Sequence, residues 1–593
     1  MGERRLVTGE RARGRDRGTD PADRWRLSVF HLVGLAAGGV LGSGWVTSAS
    51  KVEGAAGTKS WLVWLVGGLL MFVIAWVMVE LAQDAPKTGG LIFLPLQTSG
   101  PLVATVVAAG LWIFYLINLV AEAVMMAHDL SWWKGAHVTN GTSLTTPGWL
   151  LVLAGMVVIY ALNLLLPRIF FRVNSWITVL KIVIIVITVL LLAEQGHHSI
   201  SSGLTEHGWI SALTSVVGSG VIYTYVGFQG PLDFAGNVQR TAGRWRHGAR
   251  RPAVGDDPVR ERAREVSRLR WAVLGTLVGS VLLYEALQFA YQHNVIGTGS
   301  NNGMPTIADV VQDHQAGVLR VVFHVAGVLA PLGAGLVFAH ALTREVAALG
   351  RAHLTHRGLQ TARRTTMGRH HGIYWLVLLV NLCIGVVILC LERGNISNLM
   401  AVTGVLALIV YAMPAVVLVA QRNRLVTRSK RRRVVQCVLA RVSFALIALV
   451  LYLTGWPDVW RGMVALAVGC VLLLGLPLVS LRWPGFGRFY DAKAHALLFR
   501  RWRHDAAAKA ALILLGYLAA LTLLTLWGNA APSTLSTPGK QSNPSYHTKT
   551  KVLGGATVVV AMVAFQALVV TSQQFLTAAD GSRRLPAPAT AAV

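Results

Sequence analysis

Gly38-Gly39-Val40-Leu41-Gly42-Ser43-Gly44-Trp45 lies inside an apolar run, from Leu27 to about Ser50, that is otherwise long enough to cross a bilayer as one helix. Such glycine density works against a continuous helix. A break at membrane depth exposes backbone N–H and C=O groups that lipid cannot satisfy, so it is tolerated only where it lines a cavity or a binding site. The flanking half-helices then offer N-terminal amides to an anion and C-terminal carbonyls to a cation, a pairing that suits a zwitterion such as an amino acid. A competing reading is that Gly34, Gly38 and Gly42 serve only as small residues that let a neighbouring helix pack closely.

The rest of the chain sets the environment of that stretch. Its 593 residues are 54% hydrophobic and only 13% charged, with a mean hydropathy of +0.55; a soluble domain of this size carries far less apolar sequence. The chain reads as an integral membrane protein. Apolar runs of spanning length recur at about 27–50, 61–82, 101–128, 149–167, 173–193, 210–236, 271–291, 316–342, 372–391, 397–420, 434–454, 460–481, 507–527 and 552–576, about fourteen spans.

The formal net charge of +28 could mean a nucleic-acid partner, but its placement argues for a membrane orientation signal. Arginines crowd the loops after the sixth, eighth and tenth runs, as in Arg240 to Arg270, Arg344 to Arg369 and Arg422 to Arg433, whereas 194–209 and 292–315 contain no Lys or Arg. This positive-inside bias predicts a multi-pass protein of the cell membrane with both termini cytoplasmic and no nucleic-acid role. Residues 1–26 mix eight Arg with five acids, without an apolar signal core, and read as a disordered cytoplasmic tail. Cys383, Cys390, Cys437 and Cys470 show no metal-like spacing. His31, His128, His324 and His340 lie near span ends without carboxylate or Cys partners at ligand spacing, so neither metal nor cofactor is expected.

A second interruption follows five spans after the first. Gly227, Gly230 and Pro231 fall in the middle of the sixth run, where Pro removes a donor and Gly loosens the backbone. Because five is odd, the second half enters the membrane from the opposite side, which makes it an inverted repeat of the first. The domain reading is therefore a first repeat over 27–194, a second over 195–420 with an Arg-rich cytoplasmic loop at 237–270, further spans at 421–481 and 482–576, and a cytoplasmic tail at 577–593. The segment 528–551, rich in Pro, Ser and Thr, reads as an extracellular connection.

Four local patterns carry a resemblance. They are the GG-x-x-G-[ST]-G pattern from Gly38 to Gly44 with Trp45 after it; Glu80-Leu81 followed by Pro86-Lys87-Thr88-Gly89-Gly90; Glu122-Ala123 late in span three; and Asn174, Thr178 and Lys181 in span five. Together they make the chain similar to the amino acid–polyamine–organocation (APC) superfamily of permeases, in particular a bacterial branch marked by the sequence GSGW. The resemblance implies an all-α membrane fold with the LeuT-like five-plus-five inverted repeat, discontinuous helices 1 and 6, and here about four extra C-terminal helices. One departure stands out: the family usually reads G-E-x-x-[NR]-P after the sixth-span break, whereas this chain has Gly236-Asn237-Val238-Gln239-Arg240 and an Arg-rich insertion.

What the resemblance implies for individual residues is specific. The substrate carboxylate is expected at the amides of Leu41, Gly42, Ser43 and Gly44, and its ammonium at carbonyls near Tyr225, Val226 and Gly227, with Phe228 as a lid or as ordinary core. Lys181 is implied to occupy the place of a sodium ion between spans one, five and eight and to release a proton during the cycle; snorkelling to the nearby surface is the competing reading. Glu122, an intramembrane acid, is a candidate for holding a substrate amine, a proton or a hydroxyl, or for a plain interhelical bond. Glu80 and Asp233 are gate or structural candidates; Asp233, in the inner half of span six, is also a candidate partner of Lys181, with no sequence signal that brings the two within reach.

No H-E-x-x-H, nucleophile elbow or phosphate-cradling glycine loop occurs, which argues against a membrane enzyme and against ATP-driven pumping. The sequence thus points to a secondary carrier that imports an amino acid by alternating access, coupled to H+, whose partners are that solute and the lipid bilayer. An exchanger and a polyamine or organocation carrier remain alternatives, with a channel behind them. The side chain of the substrate is left open: no intramembrane Arg marks an acidic one, Glu122 tolerates a neutral or cationic one, and the GSGW branch includes permeases that take aspartate with a proton.

Overall fold

The computed structural model describes residues 27–84, 90–134, 138–140, 143–165, 167–195, 209–233, 258–294, 307, 317–351, 355, 374–422, 430–483, 505–528 and 544–584. Within them the chain is helical apart from a two-residue hairpin, β1 (Thr139–Asn140) with β2 (Ser143–Leu144). The first run forms two helices, α1 (Val29–Val40) and α2 (Gly44–Ala56), bent by 45° at their junction. Then come α3 (Ser60–Asp84), α4 (Gly90–Ser99), α5 (Pro101–Lys134), α6 (Thr146–Leu162) and α7 (Pro167–Gln195). The sixth run is broken twice, into α8 (Trp209–Gly218), α9 (Val221–Tyr225) and α10 (Gly230–Asp233). It is followed by α11 (Pro258–Gln292), α12 (Gly317–Arg351), α13 (Trp375–Glu392), α14 (Ile396–Ala420), α15 (Lys430–Thr454), α16 (Trp456–Arg482), α17 (Ala506–Gly528) and α18 (Pro544–Arg584).

Eleven of these helices are long and apolar enough to cross a membrane, and the bent pair α1–α2 makes a twelfth. The sequence predicts about fourteen, and the two that fall short do so for physical reasons. The fourth, α6, has only 17 residues, and no piece of the sixth exceeds 10 residues. The long α7 turns Trp176, Leu180, Val183 and Leu190 outward, an apolar face suited to lipid. By contrast α14 is buried along its whole apolar window and α5 along 94% of it, so these two form the centre of the bundle.

The packing follows the five-plus-five scheme. Pieces of span one pack on pieces of span six (α1 with α10, α2 with α9), α3 packs on α11, α5 on α12 and α6 on α13. Each span in this set thus meets the one five places later. Span one is also held by span five, α1 against α7.

Three boundaries differ from the sequence reading. Helix α11 begins at Pro258, inside the stretch read as an Arg-rich loop; Pro suits the first helical position, and the Arg, Glu and Ala residues that follow are good helix formers. Helix α18 runs from Pro544 to Arg584, into both the expected outer connection and the expected tail. The short α4, with Pro95 inside it, lies between spans two and three where none was foreseen, and turns into α5 at Gly100 with φ +94°. The appended helices close on this corner: Ser99 Oγ meets Ser572 Oγ of α18 at 2.8 Å.

At one end of the bundle Glu80, 2% exposed, fastens three helices. Its carboxylate accepts from Arg432 of α15 at 2.9 and 3.1 Å and from Gln436 Nε2. Arg270 of α11 stands 3.9 Å away and lies over the Trp76 ring at 4.4 Å.

Replacement of this carboxylate, Glu80→Ala, leaves the buried Gln436 amide without its acceptor and the half-exposed Arg432 without its partner and is expected to lower stability in detergent by about 1–3 kcal/mol, read as a fall in apparent Tm. Gly227→Ala is expected to do more damage. Gly227 has φ +117° and an added Cβ would stand 2.3 Å from the Gly39 carbonyl carbon, so strain of about 1–2 kcal/mol is joined by a backbone clash; loss of the monodisperse peak in size-exclusion chromatography, or a lower Tm than Glu80→Ala, checks it.

Candidate functional site

Asn174, Thr178 and Lys181 fall at i, i+4 and i+7 on α7, which places them on one face of the helix. All three aim donors at carbonyls of α1. Asn174 Nδ2 and Thr178 Oγ1 reach Gly34 O at 2.9 and 3.1 Å, and Lys181 Nζ reaches Gly38 O at 2.8 Å. The closeness needs residues without a Cβ: one added at Gly34 would lie 2.4 Å from Ser175 Oγ, and one at Gly38 would lie 2.8 Å from Thr178 Oγ1. Helix packing and main-chain exposure, alternatives in the sequence, therefore both hold, the first at Gly34 and the second beyond Gly38. Lys181 is 1% exposed and does not snorkel. Its ammonium sits where the C-terminal end of a half-helix favours a cation, and Gly333 of α12 flanks it, since a Cβ there would be 2.9 Å from Nζ. The residue thus touches spans one, five and eight.

On the other side of the bend, the N-terminus of α2 already holds a carboxyl group. The Ser43 N–H donates to Glu122 Oε2 at 3.0 Å, and Tyr223 OH donates to Glu122 Oε1 at 2.9 Å while standing 3.3 Å from Ser43 Oγ. Gly42 makes room for this carboxylate, because a Cβ on it would fall 2.4 Å from Glu122 Oε1. Gly44 likewise lies against Thr224, whose Oγ1 would be 2.4 Å from an added Cβ. Ser43, Glu122 and Tyr223 are all buried. Glu122 and Lys181 are close enough to act on each other electrostatically, so the bend carries a buried acid at the amide end and a buried base at the carbonyl end.

The two broken spans meet main chain to main chain at Gly39 and Gly227, the latter's carbonyl oxygen lying 2.8 Å from the position of a Gly39 Cβ. Tyr284 of α11 serves both breaks, donating to Val40 O at 2.9 Å and approaching Thr224 O at 3.4 Å. In the sixth span Val226 is extended, and the Gly227 N–H is taken by Gln229 Oε1 at 2.9 Å. Tyr225 turns its hydroxyl away, to Trp64 O at 3.1 Å. Phe228 packs on Tyr411 with centroids 5.4 Å apart, and Leu41 is buried at the bend.

Asp233 does not meet Lys181. It receives Tyr115 OH of α5 at 2.7 Å; the lysine is turned instead to the carbonyl end of α1. Glu80 forms the helix anchor described above. Residues 85–89 and 234–257, which carry the rest of the second motif and the departure after span six, lie outside the described residues.

Several polar residues of the site escaped sequence reading. Tyr223 and Tyr284 carry no signal beyond being aromatic in an apolar run. Glu345 fell just past the expected end of span eight, and Glu53 just past that of span one. Glu53 is fully buried and accepts from Ser60 Oγ at 2.8 Å, Gln288 Nε2 at 2.9 Å and Gln292 Nε2 at 2.7 Å, which ties the far end of α2 to α3 and α11. Charge inside a helix that continues past its apolar run was the cue that could have found both acids.

Comparison with known proteins bears on the whole arrangement. The family model described as "Amino acid permease" matches residues 27–476. The glutamate/serine transporter AimA of Bacillus subtilis is 25% identical over 79% of this chain and 84% of its own length. The aspartate-proton symporter of the same organism is 25% identical over 55% of this chain and 60% of its own length. A solved structure of a variant of the Eremococcus coleocola manganese transporter aligns with a TM-score of 0.48 and 13% identity over 77% of this chain and 97% of that one. With the family match spanning most of the sequence and both breaks in place, the chain belongs to the amino acid permease family, a group of membrane transporters and not of enzymes.

Proposed function

We propose that this permease imports an amino acid across the cell membrane by alternating access, coupled to protons, with both termini and the Arg-rich connections on the cytoplasmic side. The observation that carries the reading is the bond from the Ser43 N–H to Glu122. A helix N-terminus opened inside the membrane holds a carboxylate of the protein where the carboxylate of a substrate would bind. Substrate entry then exchanges one carboxylate for another at the Ser43 amide, with Leu41, Gly42 and Gly44 lining the bend and Tyr223 free to follow either acid. The ammonium group of the substrate goes to carbonyls around Tyr225, Val226 and Gly227, and Phe228 closes over the side chain.

Lys181 links this exchange to the proton. As an ammonium it fastens α1 to α7 through Gly38 O. When it gives up its proton toward the cytoplasm, a charge-assisted bond becomes a neutral one, roughly half as strong, and α1 is released to swing outward from α7. Proton and substrate leave on the same side. The curated relatives named for glutamate, serine and aspartate, together with two L-asparagine permeases matched over 350 and 238 residues, support small polar or acidic amino acids as the substrate class.

Two outcomes test the proposal. In proteoliposomes with imposed pH or sodium gradients, labelled aspartate, glutamate, asparagine and serine are expected to accumulate with an inward proton gradient; accumulation driven by sodium alone would overturn proton coupling, and no uptake of any amino acid would overturn the carrier reading. Lys181→Ala is expected to abolish pH-driven uptake while membrane insertion and substrate counterflow persist. Unchanged proton dependence in that variant would remove Lys181 from the mechanism.

A further inference from the structure

Helices on the outside of the bundle turn large apolar side chains outward, as Trp176, Leu180 and Leu190 do on α7 and Trp271, Leu282 and Phe289 on α11. Helix α18 is different. One of its faces is fixed to its own bundle, through Phe565 against Phe444 of α15 at 5.3 Å and through Ser572 to Ser99 at 2.8 Å. The opposite face carries Val552, Val559, Val563 and Val570 with Gln566 among them, all exposed. Gln566 lies three residues from the middle of the apolar span Thr548–Ala578, about 4.5 Å along the axis and therefore well inside a hydrocarbon layer about 30 Å thick. Its amide makes no hydrogen bond with the described residues.

Lipid tails can cover the valines but have nothing for the amide. A primary amide brings two N–H donors and a carbonyl acceptor, hydrocarbon brings neither, and an amide left without partners at that depth is costly. Whatever covers this face must therefore offer a donor and an acceptor at the level of Gln566. The spacing says that it is a helix. Val552, Val559 and Gln566 stand seven residues apart, as do Ala556, Val563, Val570 and Thr577, and the two sets alternate at intervals of four and three, the seam by which two helices pack at a crossing angle of about 20°. Beside it an open groove runs between α18 and Ile513 of α17.

We propose that the face is covered by a second copy of this chain, in a parallel dimer closed through α18 with Gln566 paired across the two-fold axis. Copies inserted in one orientation meet about an axis along the membrane normal, which sets α18 parallel to its counterpart and each residue of the seam opposite itself. An amide is its own complement: the carbonyl of one Gln566 accepts from the N–H of the other, and the reverse. Val559, Val563 and Val570 pack above and below this pair, and their stiff branched side chains lose little freedom there. Because α18 stands outside the five-plus-five core, each copy keeps its own bend. The dimer rests on the membrane-spanning fold and is independent of the solute and of the coupling ion.

Counting subunits by stepwise photobleaching of the full-length protein, labelled at its N-terminus and diluted in lipid vesicles, tests the dimer. Two steps are expected for the unaltered protein, and Gln566→Leu is expected to weaken association about three- to thirty-fold across a protein-to-lipid titration. Leucine suits an outward position in lipid, and size-exclusion chromatography checks that the variant folds. A second measurement locates the contact. With Cys383, Cys390, Cys437 and Cys470 replaced by alanine, Val563→Cys is expected to give a disulfide-linked dimer on oxidation, whereas Val183→Cys on the outward face of α7 is expected to give none. Single steps at every dilution, association unchanged in Gln566→Leu, or equal cross-linking at the two positions would each overturn the α18 dimer. None of these readouts involves uptake, so their failure leaves the proposed amino acid import standing.

Discussion

Main chain opened inside a bilayer has to be satisfied by the protein itself, and in this permease that need accounts for the polar side chains gathered at the bend of the first span. Three freed groups of the first span find three partners: Gly38 C=O is met by Lys181, Val40 C=O by Tyr284 and the Ser43 N–H by Glu122. Those partners come from three different helices, α7, α11 and α5. The bend therefore acts as a junction whose geometry depends on where the surrounding helices stand. Any movement of α1 or α2 during transport must break at least one of these bonds and replace it with water or solute.

The chemistry of the partners gives this junction its direction. A cation at a carbonyl end and an anion at an amide end each complement the half-helix they cap, and the two are near enough to feel one another. A zwitterion carries the same two charges.

Much of this was legible in the sequence because glycine and intramembrane charge are rare events with few explanations. The positions of both breaks and the presence of Lys181 and Glu122 inside spans follow from such exceptions, whereas Asn174 and Thr178 stood out only through the family pattern that they share with Lys181. Aromatic hydroxyls do not stand out in the same way. Tyr284 and Tyr223 look like any ring in an apolar run, and only the fold shows that their hydroxyl groups reach the breaks. Helix ends were also hidden: a helix that leaves the apolar layer keeps its hydrogen bonds while its composition changes, so α11 and α18 outran their hydrophobic segments. Asp233 shows a third kind of limit. A lysine and an aspartate in the inner halves of two spans invite pairing on paper, yet Lys181 is held by the Gly38 carbonyl and Asp233 by the Tyr115 hydroxyl.

The second break of the sixth span bears on this last point. Gly220 has φ +81° and separates α8 from α9, so the span is interrupted above Tyr223 as well as below Tyr225. The five residues between the breaks are too few to be a stable helix by themselves; they are held by neighbours, through Tyr223 to Glu122, Tyr225 to Trp64 and Thr224 Oγ1 to Ser48 Oγ at 3.1 Å. Such a segment can turn without dragging the ends of its span with it. Loss of the Glu122 bond to Tyr223 when a solute carboxylate arrives would free α9 at one of its three anchors, and α10 with Asp233 hangs from the far side of the same segment. The main-chain contact between Gly39 and Gly227 ties that movement to α1, so the central junction and α10 are connected through a few residues of backbone and not through a chain of packed side chains.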